Sequence, residues 1–185
     1  IPISNYAVNV LTDATGTGFY TFCGRTSAGT QNFVTQVYYP ATNTAVQLAG
    51  DDFPGDANHS CTSALNVVFN NKVYLAGGFN ATIMSNWTYV FDPMAAAGSK
   101  WTRLTGADLP TARAYIMGAV VDGLIYAIGG TTYDGASLVN VATVERLDPA
   151  AATPSWNDAA VADLPEACSS SRAWGFDAAS PYQDP

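Results

Sequence analysis

The sequence predicts an all-β fold made of three tandem four-stranded antiparallel units. Three observations carry this: a self-similarity with a period of about 54 residues, runs of 4 to 8 alternating or β-branched residues bounded by turn residues, and the absence of any sustained helical periodicity. The first marker, Phe19-Tyr20-Thr21-Phe22-Cys23-Gly24, returns as Val73-Tyr74-Leu75-Ala76-Gly77-Gly78 and again as Ile125-Tyr126-Ala127-Ile128-Gly129-Gly130. Downstream of each copy stands a strand-like run closed by proline: Val37-Tyr38-Tyr39-Pro40, Val90-Phe91-Asp92-Pro93 and Arg146-Leu147-Asp148-Pro149. The third marker is an Asp-hydrophobe-Pro corner at Asp52-Phe53-Pro54, Asp108-Leu109-Pro110 and Asp163-Leu164-Pro165, with Trp101 and Trp156 preceding the last two.

Between the markers, runs such as Leu65 to Phe69 and Gly118 to Val121 have strand composition, and Asn70-Asn71 and Asp122-Gly123 supply hairpin turns. The best helical window, Met94-Ala95-Ala96-Ala97-Gly98, is short and punctuated by Pro93 and Gly98. Each unit therefore reads as four antiparallel strands.

In this order the residues resemble the kelch family of β-propellers: the glycine pairs Gly77-Gly78 and Gly129-Gly130, the run Val144-Glu145-Arg146-Leu147-Asp148-Pro149, and Trp101 and Trp156. The resemblance implies a kelch-type β-propeller of about three four-stranded blades, at 1–56, 57–111 and 112–166. Residues 167–185 start a further blade through Arg172-Ala173-Trp174-Gly175-Phe176-Asp177. The first unit departs from the pattern, with Cys23 at the first glycine and Val46 near the expected tryptophan. Paired glycines let a neighbouring blade approach where no Cβ would fit, and a large outer-strand aromatic fills the wedge between blades.

Propellers close with typically four to eight blades, so three units imply a partner, a second chain supplying the missing blades. A cleaved precursor half is favoured over a homodimer, because the first unit's degenerate markers suit one particular blade of a longer series. The segment Ser180-Pro181-Tyr182-Gln183-Asp184-Pro185 reads as a loop open to processing.

Composition narrows the function classes. The chain is 48% hydrophobic and 12% charged, with a net charge of -8 that repels nucleic acid and anionic membranes. No apolar run approaches a membrane span, and Ile1-Pro2-Ile3-Ser4 lacks the features of a leader, so the chain reads as already processed. Sequons at Asn58, Asn80 and Asn86, all in expected loops or at strand starts, point to an exposed N-glycan and a secreted, extracellular protein. In an oxidising compartment Cys23 and Cys61, on adjacent blades, form the expected disulfide. Cys61 and Cys168 hold similar positions two blades apart, beyond bonding reach, which leaves Cys168 free or bonded to the missing portion.

The sequence offers little for catalysis. His59 and Cys61 fall short of the three or four ligands that a metal site needs, and no nucleophile elbow, phosphate loop or dinucleotide fingerprint occurs. Asp51-Asp52 point to opposite faces of a strand, and the recurrence of Asp at that corner fits a turn role. No catalytic residue, metal site or cofactor is assigned. The loops loosely resemble those of kelch-like copper radical oxidases, related to galactose oxidase, in which a Cys and a Tyr cross-link beside copper held by Tyr and His. That resemblance would use Cys61 and Tyr115 and implies metal ligands outside this chain; an oxidase fragment is the alternative reading. The primary expectation is a binding or interaction module whose inter-blade loops present His59, Arg113, Tyr115, Arg172 and Trp174 to a carbohydrate or a protein partner.

Overall fold

The computed structural model describes residues 3, 4 and 6–169. Eighteen strands fall into three sets of six. The first set is β1 (Ile3–Ser4), β2 (Ala7–Thr12), β3 (Thr17–Phe22), β4 (Arg25–Thr26), β5 (Gln36–Tyr39) and β6 (Thr44–Gln47). The second is β7 (Leu65–Phe69), β8 (Lys72–Ala76), β9 (Phe79–Asn80), β10 (Ile83–Met84), β11 (Thr88–Phe91) and β12 (Trp101–Arg103). The third is β13 (Met117–Val121), β14 (Leu124–Ile128), β15 (Thr131–Tyr133), β16 (Leu138–Asn140), β17 (Val144–Leu147) and β18 (Trp156–Asn157).

Each set builds one four-stranded antiparallel sheet: β2-β3-β5-β6, β7-β8-β11-β12 and β13-β14-β17-β18. The remaining strands pair as two-stranded ribbons, β1-β4, β9-β10 and β15-β16, inserted between the second and third strands of a sheet or paired with that insertion. This is the β-propeller architecture that the repeats predict, and no helix occurs among the described residues. The expected start of a further blade, with Arg172 and Trp174, lies outside the described residues.

The hairpin turns follow from residue chemistry. Asn70 and Asn71, then Asp122 and Gly123, adopt positive φ at the β7–β8 and β13–β14 turns, the backbone that two-residue hairpins demand and that Asn, Asp and Gly tolerate. Asn71 does more than turn the chain. Its Oδ1 accepts from the Thr12 backbone N–H and its Nδ2 donates to the Thr12 carbonyl, both at 2.8 Å, tying blade 2 to the edge of blade 1.

The corners close each blade on itself. The N–H groups of Phe53, Leu109 and Leu164 donate to the carbonyls of Phe33, Asn86 and Ala142, each two residues ahead of or near the third strand of its sheet. Asp52 and Asp163 add a side-chain acceptor for the Thr35 and Val144 N–H groups, while Asp108 instead holds Arg103 at 2.5 Å.

Successive strand residues face opposite neighbours, and two cores result. Between blades 1 and 2 lie Leu11, Tyr20, Phe22, Val37, Phe53, Val73, Leu75, Tyr89 and Phe91. Between blades 2 and 3 lie Leu65, Val67, Tyr74, Ile116, Ile125, Ala127 and Leu147. Each outer-strand tryptophan reaches back to the preceding blade. Trp101 meets Phe22 and Phe53 edge-on and donates its Nε1–H to the Asp51 carbonyl at 3.0 Å; Trp156 donates to Thr88 Oγ1 at 2.9 Å. Blade 1 turns its other face to solvent: Val8, Val10, Phe19 and Tyr38 are exposed there, with Val10 opposite Phe19 and Phe19 opposite Tyr38 across the strands.

Candidate loop-face site

The second strand of each blade ends at Gly-Gly or Cys-Gly, and the inserted ribbons and the loops that enter the next blade leave from that end. Gly77 and Gly78 have φ of 75° and 111°, and a Cβ on either would collide with backbone carbonyls, of Arg113 and Ser60 respectively. The backbone packs this closely because the loop entering the next blade crosses over the pair, so that Gly78 N–H donates to Arg113 O and Gly130 N–H to Cys168 O.

At the equivalent point of blade 1 the glycine is replaced by Cys23, with φ of 62°, which forms a disulfide to Cys61 across a Cα–Cα distance of 5.8 Å. Cys61, Arg113 and Cys168 are thus three versions of one position: a half-cystine, a buried guanidinium and a free thiol. The disulfide occupies the sulfur that a Cys61–Tyr115 cross-link would require, so the oxidase reading loses its cysteine. Among the described residues no three of His, Cys, Asp and Glu gather as a ligand set.

Arg113 needs a correction as a ligand-contacting residue. It is fully buried, its Nε donates to the Gly129 carbonyl at 2.9 Å, and its two Nη groups grip both oxygens of Glu145, itself fully buried. Each of the three guanidinium nitrogens is bonded inside the protein and the group has no exposed surface, so it does not meet a ligand on the loop face.

His59 is half-buried and lies flat on Trp87, with ring centroids 3.4 Å apart. Its Nδ1 stands 2.9 Å from Asp56. Arg103 also lies over the indole, at 4.0 Å, so Trp87 packs against two basic groups, each tethered by an aspartate. The Asp56 carboxyl is held below its ordinary range, first by the Asn58 backbone N–H and then by His59.

A second stack places Arg25 over Phe79 at 4.3 Å and Phe79 tilted against Tyr115 at 5.1 Å. Tyr115 is half-buried with φ of 54°, and its N–H donates to the carbonyl of Ser63, which shares the same positive φ one blade earlier. Of the sequence candidates within the described residues, His59 and Tyr115 reach the loop face, on two separate stacks. Trp87, Arg103, Phe79 and Arg25 complete those stacks. Trp87 is the middle residue of the Asn86 sequon and belongs to none of the repeating markers, so no recurrence in the sequence singles it out.

The ribbons supply part of the second stack, with Arg25 on β4 and Phe79 on β9. Strand β10 touches β15, and the two ribbons carry Ile83 on β10 and Leu138 and Val139 on β16, exposed at 42%, 51% and 40%.

The family model of the Kelch motif matches residues 60–106 and 112–160, more than half of the chain. The chain belongs to the kelch family. Among solved structures, that of YjhT is similar in fold, with a TM-score of 0.68 at 18% identity, the match covering 91% of this chain and 54% of that one. This kelch chain therefore spans about half the length of that structure. No curated protein matches it by sequence.

Proposed function

We propose that this kelch protein is a secreted interaction module that engages a protein partner through its loop face. Kelch repeats generally mediate protein interactions. The observation that carries the reading is the contrast on that face: the ionisable candidates are spent on internal stacks, while Ile83, Leu138 and Val139 on adjoining ribbons stay exposed. Exposed aliphatic side chains rimmed by polar loops suit a protein surface, whereas sugars favour open aromatic faces. The Cys23–Cys61 disulfide fits an oxidising compartment, and no helix of the described residues is long and apolar enough to cross a membrane. Cross-linking mass spectrometry on the natively purified assembly tests this. Cross-links from the β9–β10 and β15–β16 ribbons to another protein are expected, and a glycan-array hit abolished by Tyr115→Ala would replace protein with carbohydrate.

The partner reading extends to blade 1. Its exposed face is the register equivalent of faces that blades 2 and 3 bury: Phe19 and Thr21 correspond to Val73 and Leu75, and to Ile125 and Ala127. Another blade of the same design, supplied by a second polypeptide, would cover it as blade 1 covers blade 2. Native mass measurement decides: a stable monomer of 19.4 kDa, apart from glycan, sinks the idea.

A further inference from the structure

We propose that Asn58 is the N-glycan acceptor of this chain and that Asn80 and Asn86 remain bare in the folded protein. The inference rests on the secreted reading above. Three sequons of equal standing in the sequence are sorted by what each side-chain amide does in the fold.

Asn58 is exposed on the loop entering blade 2. Its backbone N–H is held by Asp56 Oδ1 at 2.7 Å, while its side-chain amide makes no hydrogen bond among the described residues. The loop is fixed, and the acceptor nitrogen points to no partner. Asn80 is half-buried, and both ends of its amide are engaged: Nδ2 donates to the Ala57 carbonyl at 3.1 Å, and Oδ1 accepts from Gln31 at 3.2 Å. Gln31 in turn accepts from Ser60 and Thr62, both buried beneath the disulfide loop. Asn86 is also half-buried; its Nδ2 donates to the Leu109 carbonyl at 3.3 Å, and its own carbonyl accepts from Leu109 N–H at 2.8 Å. The third residue of that sequon, Thr88, is fully buried and receives the Trp156 indole N–H. A sugar on Asn86 Nδ2 would stand where the corner of blade 2 closes on its third strand.

In the modification itself, the amide Nδ2 attacks the anomeric carbon of a lipid-pyrophosphate-linked oligosaccharide. An N–C bond forms, the C–O bond to pyrophosphate breaks, the lipid pyrophosphate leaves, and the nitrogen's proton passes to a base on the transferase. The transferase meets the chain before folding, so the fold acts as the filter. Molecules glycosylated at Asn86 lose the corner contacts and drop out of the folded, exported pool, whereas those glycosylated at Asn58 lose nothing.

The test is to pass the full chain through a eukaryotic secretory pathway and collect the exported protein. Its glycans are released with an amidase in heavy-oxygen water, so that each formerly modified Asn is marked as labelled Asp in a peptide map. The label is expected at 58 and at neither 80 nor 86. Asn58→Gln should remove the glycan shift on a gel, and Asn86→Gln should leave it in place. Label at 80 or 86 in exported protein, or a chain bare at 58, overturns the assignment. If Asn58 is modified in this experiment while protein from the native source carries no glycan, the assignment stands and the secreted reading falls.

Discussion

The seam between blades 1 and 2 and the seam between blades 2 and 3 repeat the same backbone contact with different chemistry. The first is aromatic, with Tyr20, Phe22, Phe53, Tyr89, Phe91 and Trp101 around it, and is stapled by Cys23–Cys61. The second is mainly aliphatic and places the Arg113–Glu145 pair where the first has Cys61 beside Tyr89. A repeat thus fixes the geometry of a position and leaves its means of bonding free. The covalent solution constrains the unfolded chain, whereas the ionic one helps only while both partners are present, because each alone would be a buried, unpaired charge.

Glu145→Ala is the strongest way to break the comparison. It strands Arg113 and should cost about 3–5 kcal/mol, read from the urea midpoint. The double change Arg113→Met with Glu145→Met should cost less than the single one, and equal losses would show that the pair is not acting as a unit. Reduction of the disulfide, whose cysteines are 38 residues apart, should cost about 4 kcal/mol. A reduced chain with an unchanged melting profile would mean that aromatic packing alone holds that seam.

Gly129→Cys would carry the first solution to the third position. Gly129 has φ of 59°, close to that of Cys23, and a Cβ there would lie 3.3 Å from the Cys168 sulfur but would also overlap the Cys168 carbonyl, so the Cys168 backbone must shift for the bond to close. A second disulfide should form spontaneously and raise stability by about 2 kcal/mol; a free-thiol assay that still finds two thiols would break the equivalence.

The smallest effect belongs to Asp13, at the opposite end of blade 1. Burial pushes its carboxyl up, but the hydroxyls of Tyr39 and Tyr20 and the N–H groups of Thr15 and Gly16 outweigh this and hold it below its ordinary value. A depressed folded pKa contributes stability that is full above the unfolded value of about 3.9 and is lost as pH falls through the folded one. Asp13→Asn should therefore cost about 1 kcal/mol at neutral pH and flatten the decline below about pH 4, measured by denaturation at several pH values.

The glycine pairs, corners and tryptophans were legible in the sequence because each recurs at a fixed interval and its role is set by local backbone shape or side-chain size. The adjacency of Cys23 and Cys61 was legible for the same reason, since blade order places them side by side. The fate of Arg113 was not. It resembles any loop arginine, its partner Glu145 lies 32 residues on, and the equivalent positions hold cysteines, so no recurrence signals an ion pair. The sequons were equally opaque. Asn58, Asn80 and Asn86 share a three-residue pattern, and what separates them is contact of Asn86 with Leu109 and of Asn80 with Ala57, each 23 residues away.

The Asn71 amide gives the first seam a mechanical character. It grips Thr12 at one end of the blades while the disulfide grips the other, so blades 1 and 2 are fastened at both margins and carry load as one stiff plate. The second seam has no covalent fastening among the described residues. Force applied by a partner to the β15–β16 ribbon would therefore be taken up as shear between blades 2 and 3, and the plate would resist it as an anvil.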